Sequence, residues 1–420
     1  MTGGVDHEVV VIGAGPSGLA VAGALNRAGV DVLLLERRRV PGTGSRAIGV
    51  HPAALAALAP SGVADAVLAE AARITRGVGT LAGRTIGEIR FDRAGMPYPC
   101  IASVPQAVTE AALREAAPEP HRGVRVEAIA LEPDRAVLRV EGAEAEHEQG
   151  GQSAGGPSCA ASGRSREAQQ RSLTAGLVVL AGGASGRGLL PATAGVRARA
   201  LPDRYLMTDI PSVPGQANDT AIIALGADGV LESFPLGRAG RRLVAHVGVG
   251  AERSPRSDAE RLARAAEARL GDAELAERIV EATSFGIRRI LLRRLLFPGP
   301  AASGAAHATP RLIAIGDTAH EISPIGGQGM NLGLLDAATL APVLIALLRG
   351  SRSSAELLDW ERDRLASART AARLAGLNTR IGRPAAAGIQ RIAAAAFAPV
   401  SGAVAPLLSR AYTMGFDRAS

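Results

Sequence analysis

Hydrophobic runs divide the chain into recognisable blocks. Val9-Val10-Val11-Ile12 is a continuous apolar stretch of the kind buried on both faces of a parallel sheet. Glycines at 13, 15 and 18 follow, then a helical spacing of Leu19, Val21, Ala22 and Leu25 up to Gly29. A second apolar run, Val32 to Leu35, ends at Glu36. Glu8 to Arg37 therefore reads as a βαβ unit. Ala/Leu-rich spacing predicts helices over 53–72 and 106–117, the second stopped by Pro118. Short strands are predicted within 121–141. Leu177 to Leu180 is a further buried strand, running into a glycine-rich loop over 182–188. Runs at 221–225 and 243–249, separated by glycine turns, predict a second sheet. A helical stretch over 257–283, a buried strand at Leu312 to Ile315 and helices over 331–349 and 353–379 complete the pattern. Residues 142–172 are rich in Gly, Ser, Gln and Glu, and read as a mobile excursion between two strands.

A length of 420 residues, 47% of them hydrophobic, implies two domains with a large core and excludes a disordered chain. Every one of the 47 cations is Arg, which rules out Schiff-base lysines, a P-loop lysine and a lysine general base. The net charge of +7 comes from scattered arginines with only 2% aromatics, so no nucleic acid is expected as a partner. Cys100 and Cys159 lie far apart and match no metal or redox spacing. Free thiols and no metal are expected. The N-terminus shows no leader pattern, and a cytoplasmic location is the expectation. The stretch between Arg391 and Arg410 carries no charge but is interrupted by Pro399, Gly402 and Pro406. It reads as a packed or surface-lying helical pair rather than a span, and also suits a peripheral membrane contact.

Two motifs carry chemistry. Gly13-Ala14-Gly15-Pro16-Ser17-Gly18 lies between a strand and a helix. There the first glycine allows a tight turn, the second lets a pyrophosphate approach, and the third packs helix on strand. The helix N-terminus supplies N–H groups and partial positive charge. Glu36, at the end of the second strand, is placed to bind a ribose diol, which suits FAD or NAD. The second motif runs from Gly316-Asp317-Thr318-Ala319-His320 to Pro324-Ile325-Gly326-Gly327-Gln328-Gly329-Met330-Asn331. A strand ending in Gly-Asp puts a carboxylate where it can bind a ribityl hydroxyl. The glycines let backbone lie against a flat ring, and a helix starting near Asn331 aims its N-terminus at that ring.

Taken together, these motifs resemble the group A flavoprotein monooxygenases, from about Glu8 to about Leu348. The resemblance implies an α/β fold with three parts. A Rossmann-like FAD-binding domain of the para-hydroxybenzoate hydroxylase type would comprise residues 1–75, 100–195 and 300–348. A β-sheet substrate domain (76–99 and 196–299) would be inserted in it, and a helical region (349–420) would follow. Gly13, Gly15, Pro16, Ser17, Gly18, Glu36, Arg37, Gly316, Asp317, Pro324, Gly327, Gly329, Met330 and Asn331 would bind FAD. Arg46 and Gln106 resemble the family's flavin-contacting arginine and glutamine. Phe234-Pro235-Leu236-Gly237 resembles a strand over the substrate cavity. The implied chemistry is reduction of FAD by NADH or NADPH, addition of molecular oxygen to give a C4a-hydroperoxyflavin near Pro324, and hydroxylation of an aromatic or lipophilic substrate. The helical tail is most similar to the ubiquinone-biosynthesis branch; aromatic polyketides are the other substrate class considered. One departure bears on the nicotinamide reductant. The family's mid-chain Asp-Gly is replaced by Ala181-Gly182-Gly183, with no acid from Leu177 to Pro202. The Trp-rich motif and lysine of flavin halogenases are absent.

No acid–base residue follows from the sequence. His51, His246 and His320 are candidates, with structural roles favoured. Tyr98, Tyr205 and Arg288 are candidate cavity residues, and Trp360 is expected in a core. Two other readings stay open: an FAD-dependent reductase of prenyl or polyketide substrates, and a non-catalytic flavin-binding member of a biosynthetic complex.

Overall fold

The computed structural model describes residues 4–42, 47–142, 170–211, 217–249, 255–300, 310–351, 354–384 and 405–417. The fold is α/β, and among the described residues its first sheet has eight strands. His7–Ile12 lies at its centre, parallel to Val32–Glu36 on one side and to Gln170–Leu180 on the other. Pro310–Ala314 continues the parallel order beyond Gln170–Leu180. Val9, Val10 and Val11 are fully buried, as a strand covered on both faces requires. The pairing brings the carboxyl ends of these four strands to one edge, and this is where ligands bind in open α/β sheets.

The second sheet also has eight strands, in the order His320–Glu321, Thr283–Leu291, Arg197–Ile210, Arg241–Val249, Gly229–Pro235, Thr220–Gly226, Arg76–Leu81 and Arg84–Arg90. One face packs Leu206, Leu231 and Leu243 on helix Asp258–Leu270, through Leu262 and Ala266. The opposite face turns toward the first sheet's ligand edge. A small third sheet joins Gly49–Val50, Ile101–Ser103 and Ala72–Ile74.

Several elements differ from the pattern-based expectation. The helix expected over 53–72 is broken into Pro52–Leu58 and Val63–Glu70, because Pro60 and Gly62 interrupt it with a left-handed turn. The helical stretch over 257–283 stops at Leu270, where Gly271 caps it, and resumes for one short turn at Ala273–Glu277. The loop 182–188 contains a short helix, Gly183–Gly186. Leu296–Pro298 pairs with Pro310–Ala314 in the first sheet, so the return to that sheet precedes residue 299. Buried Leu296 and Phe297 hold it there. Of the excursion over 142–172, Gly142 and residues 170–172 are strand, and 143–169 lie outside the described residues. So do Cys159 and residues 391–404 of the uncharged tail.

The helix Gln328–Leu348 organises the centre. It packs against the first helix, Pro16–Arg27, and against Pro52–Leu58 and Ala355–Ile381. It is long and apolar enough to cross a membrane, but 56% of that stretch is buried inside the protein, as for a core helix. Trp360 is buried and donates through Nε1 to Thr339 Oγ1 at 3.0 Å. Asp336, fully buried in the central helix, accepts from the Gly316 N–H at 2.9 Å and from Arg364 Nε at 2.8 Å. It also lies 2.6 Å from His320 Nε2. Arg364 in turn holds Asp417 at 2.7 Å through both carboxylate oxygens.

Burial opposes charge on Asp336, but His320 and Arg364 outweigh it and hold the carboxyl well below its ordinary 3.8. Burial likewise opposes charge on His320, yet Asp336 raises it above the ordinary 6.5. Asp336 thus contributes stability that is lost as pH falls through its lowered pKa. His320 contributes stability that is lost as pH rises through its raised one. Asp336→Asn should therefore cost about 3 kcal/mol in denaturant titrations. The wild-type advantage should be widest between the two ordinary values, 3.8 and 6.5, and shrink on either side. A pH-independent difference would refute this assignment.

Candidate active site

The carboxyl edge of the first sheet opens on a cavity of about 1340 Å³, whose opposite wall is the second sheet. A pocket for one small ligand is typically about 300–1,000 Å³, so this volume has room for a cofactor and a second molecule. At the first sheet, the lining includes Gly13, Gly15, Pro16, Ser17, Glu36, Arg37, Gln106 and Asp317. Pro324, Gly327, Gly329 and Met330 border the same space. Glu36 accepts from the Ala14 and Arg38 N–H groups, both at 2.9 Å, which fixes the carboxylate at the strand end.

The residues fit a flavin dinucleotide. The helix Pro16–Arg27 begins at Gly15 and the helix Gln328–Leu348 at Gly327. No side chain caps either one, and neither has an acid in its first turn. Two helix N-termini thus present unclaimed N–H groups and positive dipole ends to one cavity. One suits a pyrophosphate and the other an electron-rich ring carbonyl. The Nδ1 of His51, a buried residue of the cavity lining, has no hydrogen-bond partner among the described residues. Burial alone depresses its pKa to about 4, so the ring is neutral at working pH.

Three residues expected at the cofactor stand behind it instead. Gly18 does not line the cavity: a Cβ there would lie 1.8 Å from Gly13 O, so its hydrogen is what lets the helix seat on the turn. Gly316 also lies behind, its N–H donated to Asp336. Asn331 is fully buried, and its helix starts three residues earlier than expected, at Gln328. Asn331 Nδ2 donates to Gly49 O at 2.8 Å and Gly327 O at 2.9 Å, and its Oδ1 accepts from His51 N at 2.8 Å. It positions the two loops that border the ring site. Arg46 lies outside the described residues.

Of the other candidates, Arg288 lines the cavity, whereas Tyr98 packs on the main core. Tyr205 is fully buried, stacked on Phe285 and edge-on to His246. His246 faces Asp203 at 3.3 Å, and Asp203 is also held by Arg383. These groups brace the second sheet away from the cavity. The mid-chain glycines line it, and Thr318 Oγ1 donates to Gly183 O at 3.0 Å. A Cβ at Gly182 would lie 3.0 Å from the Gly186 Cα, so a side chain there would crowd the following turn. The acid at this edge is instead Glu321, paired with Arg187 at 2.8 Å and Arg288 at 3.2 Å.

The second sheet's wall is apolar: Met207, Ile223, Leu225, Val230, Phe234, Val244 and Phe285 line it, joined by Ile325 and Ile381. Besides Glu88, Arg242, Thr283, Arg288 and Glu321 of the same sheet, three polar groups border this surface. Tyr412 donates to Asn378 Oδ1 at 2.7 Å, and Glu232 is 6% exposed. All three were missed from the sequence. For Glu232 a signal exists: in Val230-Leu231-Glu232-Ser233-Phe234 the acid falls in the same alternate set as Val230 and Phe234.

Gly15 and Gly18 separate cofactor binding from folding. A Cβ at Gly15 meets no atom within 4 Å and enters the cavity, at an ordinary φ of −82°. Gly15→Ala should leave the melting temperature of the flavin-free protein within a degree or two while cutting FAD retention at least tenfold. Gly18→Ala should lower that melting temperature sharply. Equal effects on both quantities in both variants would contradict the division.

Comparison with known proteins agrees with this geometry. Residues 6–375 match the family described as FAD binding domain. Over 392 residues the chain is 28% identical to 6-methylpretetramide 4-monooxygenase of Streptomyces rimosus, covering 89% of this chain and 63% of that protein. It is 28% identical over 355 residues to rifampicin monooxygenase of Streptomyces venezuelae, covering 82% of this chain and 65% of that protein. The chain thus spans somewhat under two thirds of the length of these relatives. Its fold superposes on p-nitrophenol 4-monooxygenase from Pseudomonas putida with a TM-score of 0.78 at 21% identity, covering 98% of both chains. With 370 of its residues matched and both dinucleotide motifs at one cavity, the chain belongs to the FAD binding domain family, that of the group A flavoprotein monooxygenases, and FAD is its cofactor.

Proposed function

We propose that the protein is a monooxygenase that hydroxylates an aromatic or lipophilic ring substrate (phenolic, quinol-like or polyketide). NADH or NADPH would be the reductant and molecular oxygen the oxidant. The observation that carries this reading is the continuity of the cavity. One space of about 1340 Å³ joins an uncapped dinucleotide cradle to an apolar chamber under the second sheet. The names of the two relatives, both monooxygenases, support it. In the overall balance, NAD(P)H, a proton, dioxygen and the arene give NAD(P)⁺, water and the phenol. Bound FAD supplies the redox chemistry between reductant and oxygen.

The chain's own residues bind, orient and exclude. Gly13, Gly15, Ser17 and the first helix's N-terminus would hold the pyrophosphate, Glu36 and Arg37 the adenosine side, and Asp317 the ribityl chain. Pro324 to Met330 would border the ring's reactive edge, with Asn331 and neutral His51 fixing that loop. The apolar wall keeps water from the reacting centre. Arg187, Glu321 and Thr318 would tie the mid-chain turn to the Gly-Asp motif in place of the family's acid. The reductant it needs argues for a cytoplasmic setting. A peripheral membrane contact rests on residues 391–410, most of which lie outside the described residues.

The test uses FAD-loaded protein, NADH or NADPH, heavy-isotope dioxygen and a panel of phenols and hydroxyquinones. The expected result is substrate-stimulated nicotinamide oxidation with one heavy oxygen atom in the ring product. Turnover that leaves the label only in water or hydrogen peroxide would favour the reductase reading. Flavin that binds with no turnover on any substrate would favour a non-catalytic role.

A further inference from the structure

We infer that Glu232 selects the ring substrate, accepting neutral hydroxyaryl ketones and refusing aromatic carboxylates. The inference rests on the monooxygenase reading for its assumption that the apolar chamber is the substrate end of the cavity. In Gly229–Pro235, Val230, Glu232 and Phe234 face the chamber, while Leu231 packs against the helix on the other side. The register places Glu232 between Ile223 and Val244, both of which also line the chamber. The carboxyl is therefore central in an apolar surface, 6% exposed, with no hydrogen bond or ion pair to its side chain among the described residues.

No described residue offers this carboxyl a partner. An unpartnered buried carboxyl costs stability, and the cost is lowest when the group keeps its proton. Burial alone pushes its pKa up to about 8. A neutral carboxylic acid offers one O–H donor beside one carbonyl acceptor. That pair is the complement of an adjacent phenol and ketone. Next to Glu232 the chamber presents Ile223, Val244, Val230 and Phe234, which offer an anion nothing. Arg242, which borders the chamber, is held by Asp209 through two bonds of 2.6 and 2.7 Å, Arg288 on Thr283–Leu291 shares Glu321 with Arg187, and the sequence contains no lysine. A ligand carboxylate would be buried against Glu232 without a counter-ion.

Other ionisable groups facing Glu232 from the packed elements do not change this balance. Tyr412 and Tyr205 are both pushed up, first by their own burial and then by Glu232, so both stay neutral. On the strand paired with Gly229–Pro235, Arg242 remains held by Asp209.

The experiment is calorimetric titration of the FAD-loaded protein with two dihydroxyanthraquinones that differ at one substituent: chrysophanol, bearing a methyl, and rhein, bearing a carboxylate. The wild type should bind chrysophanol about a hundredfold more tightly than rhein. Glu232→Leu should weaken chrysophanol about fivefold while keeping its FAD and raising the melting temperature. A folding defect would move those last two quantities the other way. Glu232→Gln, which keeps a donor and an acceptor, should hold chrysophanol within about threefold at pH 7. Wild-type affinity should fall above about pH 8 as the acid ionises. The ligand's own phenols ionise with either protein, so only the difference between the wild-type and E232Q profiles reports on Glu232.

Equal wild-type affinity for the two ligands, no chrysophanol binding, or unchanged binding by E232L would overturn the assignment. Any of these alongside labelled ring product would leave the monooxygenase reading standing. The converse, discrimination that depends on Glu232 in a protein that never incorporates oxygen, would keep the selector and remove the reaction.

Discussion

The carboxylate of Asp336 is the constraint on which the rest of the site depends. It sits in the middle of the central helix, out of water, and holds three groups: the Gly316 N–H, His320 and Arg364. Gly316 and His320 belong to the Gly-Asp motif, and Arg364 belongs to the following helix, which also holds Asp417 near the C-terminus. One buried charge therefore fixes the turn that carries Asp317 relative to the helix whose N-terminus faces the ring site. A buried ion is tolerated when its partners satisfy it, and it is then specific, because no other arrangement of the chain does so.

Close approach of backbone does the corresponding work at the first motif. Ser17 on the first helix lies against Gly316 and Gly333. A Cβ at Gly333 would come within 2.2 Å of its Oγ, and one at Gly316 within 2.6 Å. The two cofactor motifs are thus pressed together at a point where only glycine leaves room. Asn331 makes the same kind of connection between the Gly49–His51 segment and the start of the central helix. Asn331 and Asp336 thus fix the borders of the cavity without lining it.

The two ends of the cavity differ in character. The cradle end is built from backbone, glycine and helix dipoles, which suit a charged, polar cofactor. The chamber end is a mainly apolar sheet face with Glu232 in its middle, and Tyr412 and Asn378 reach it from neighbouring helices. Placing an acid on that face departs from the alternating pattern of the strand. Such local inconsistencies are expected where function outweighs stability.

The sequence by itself determined the first sheet's central strands, the cradle glycines with Glu36 and Asp317, and the family. Each depends on short-range pattern: a β-branched run, a glycine spacing, an acid at a strand end. It also showed that the mid-chain acid is missing, although not the close approach of Gly186 to Gly182. Tertiary structure decided the rest. Asn331 and Gly18 read as cofactor contacts from their motifs, yet the packing of a loop or a helix turn puts them behind the site. Tyr205 read as a cavity candidate and His246 as a candidate acid–base residue with a structural role favoured, and strand register turned both to brace Asp203 and Phe285. Glu232 became visible only when the strand's two faces were assigned, because alternation says which residues share a side and not which side is wet. The partners of Asp336 lie 16, 20, and 28 residues away along the chain, and no local pattern encodes a contact that folding alone brings together.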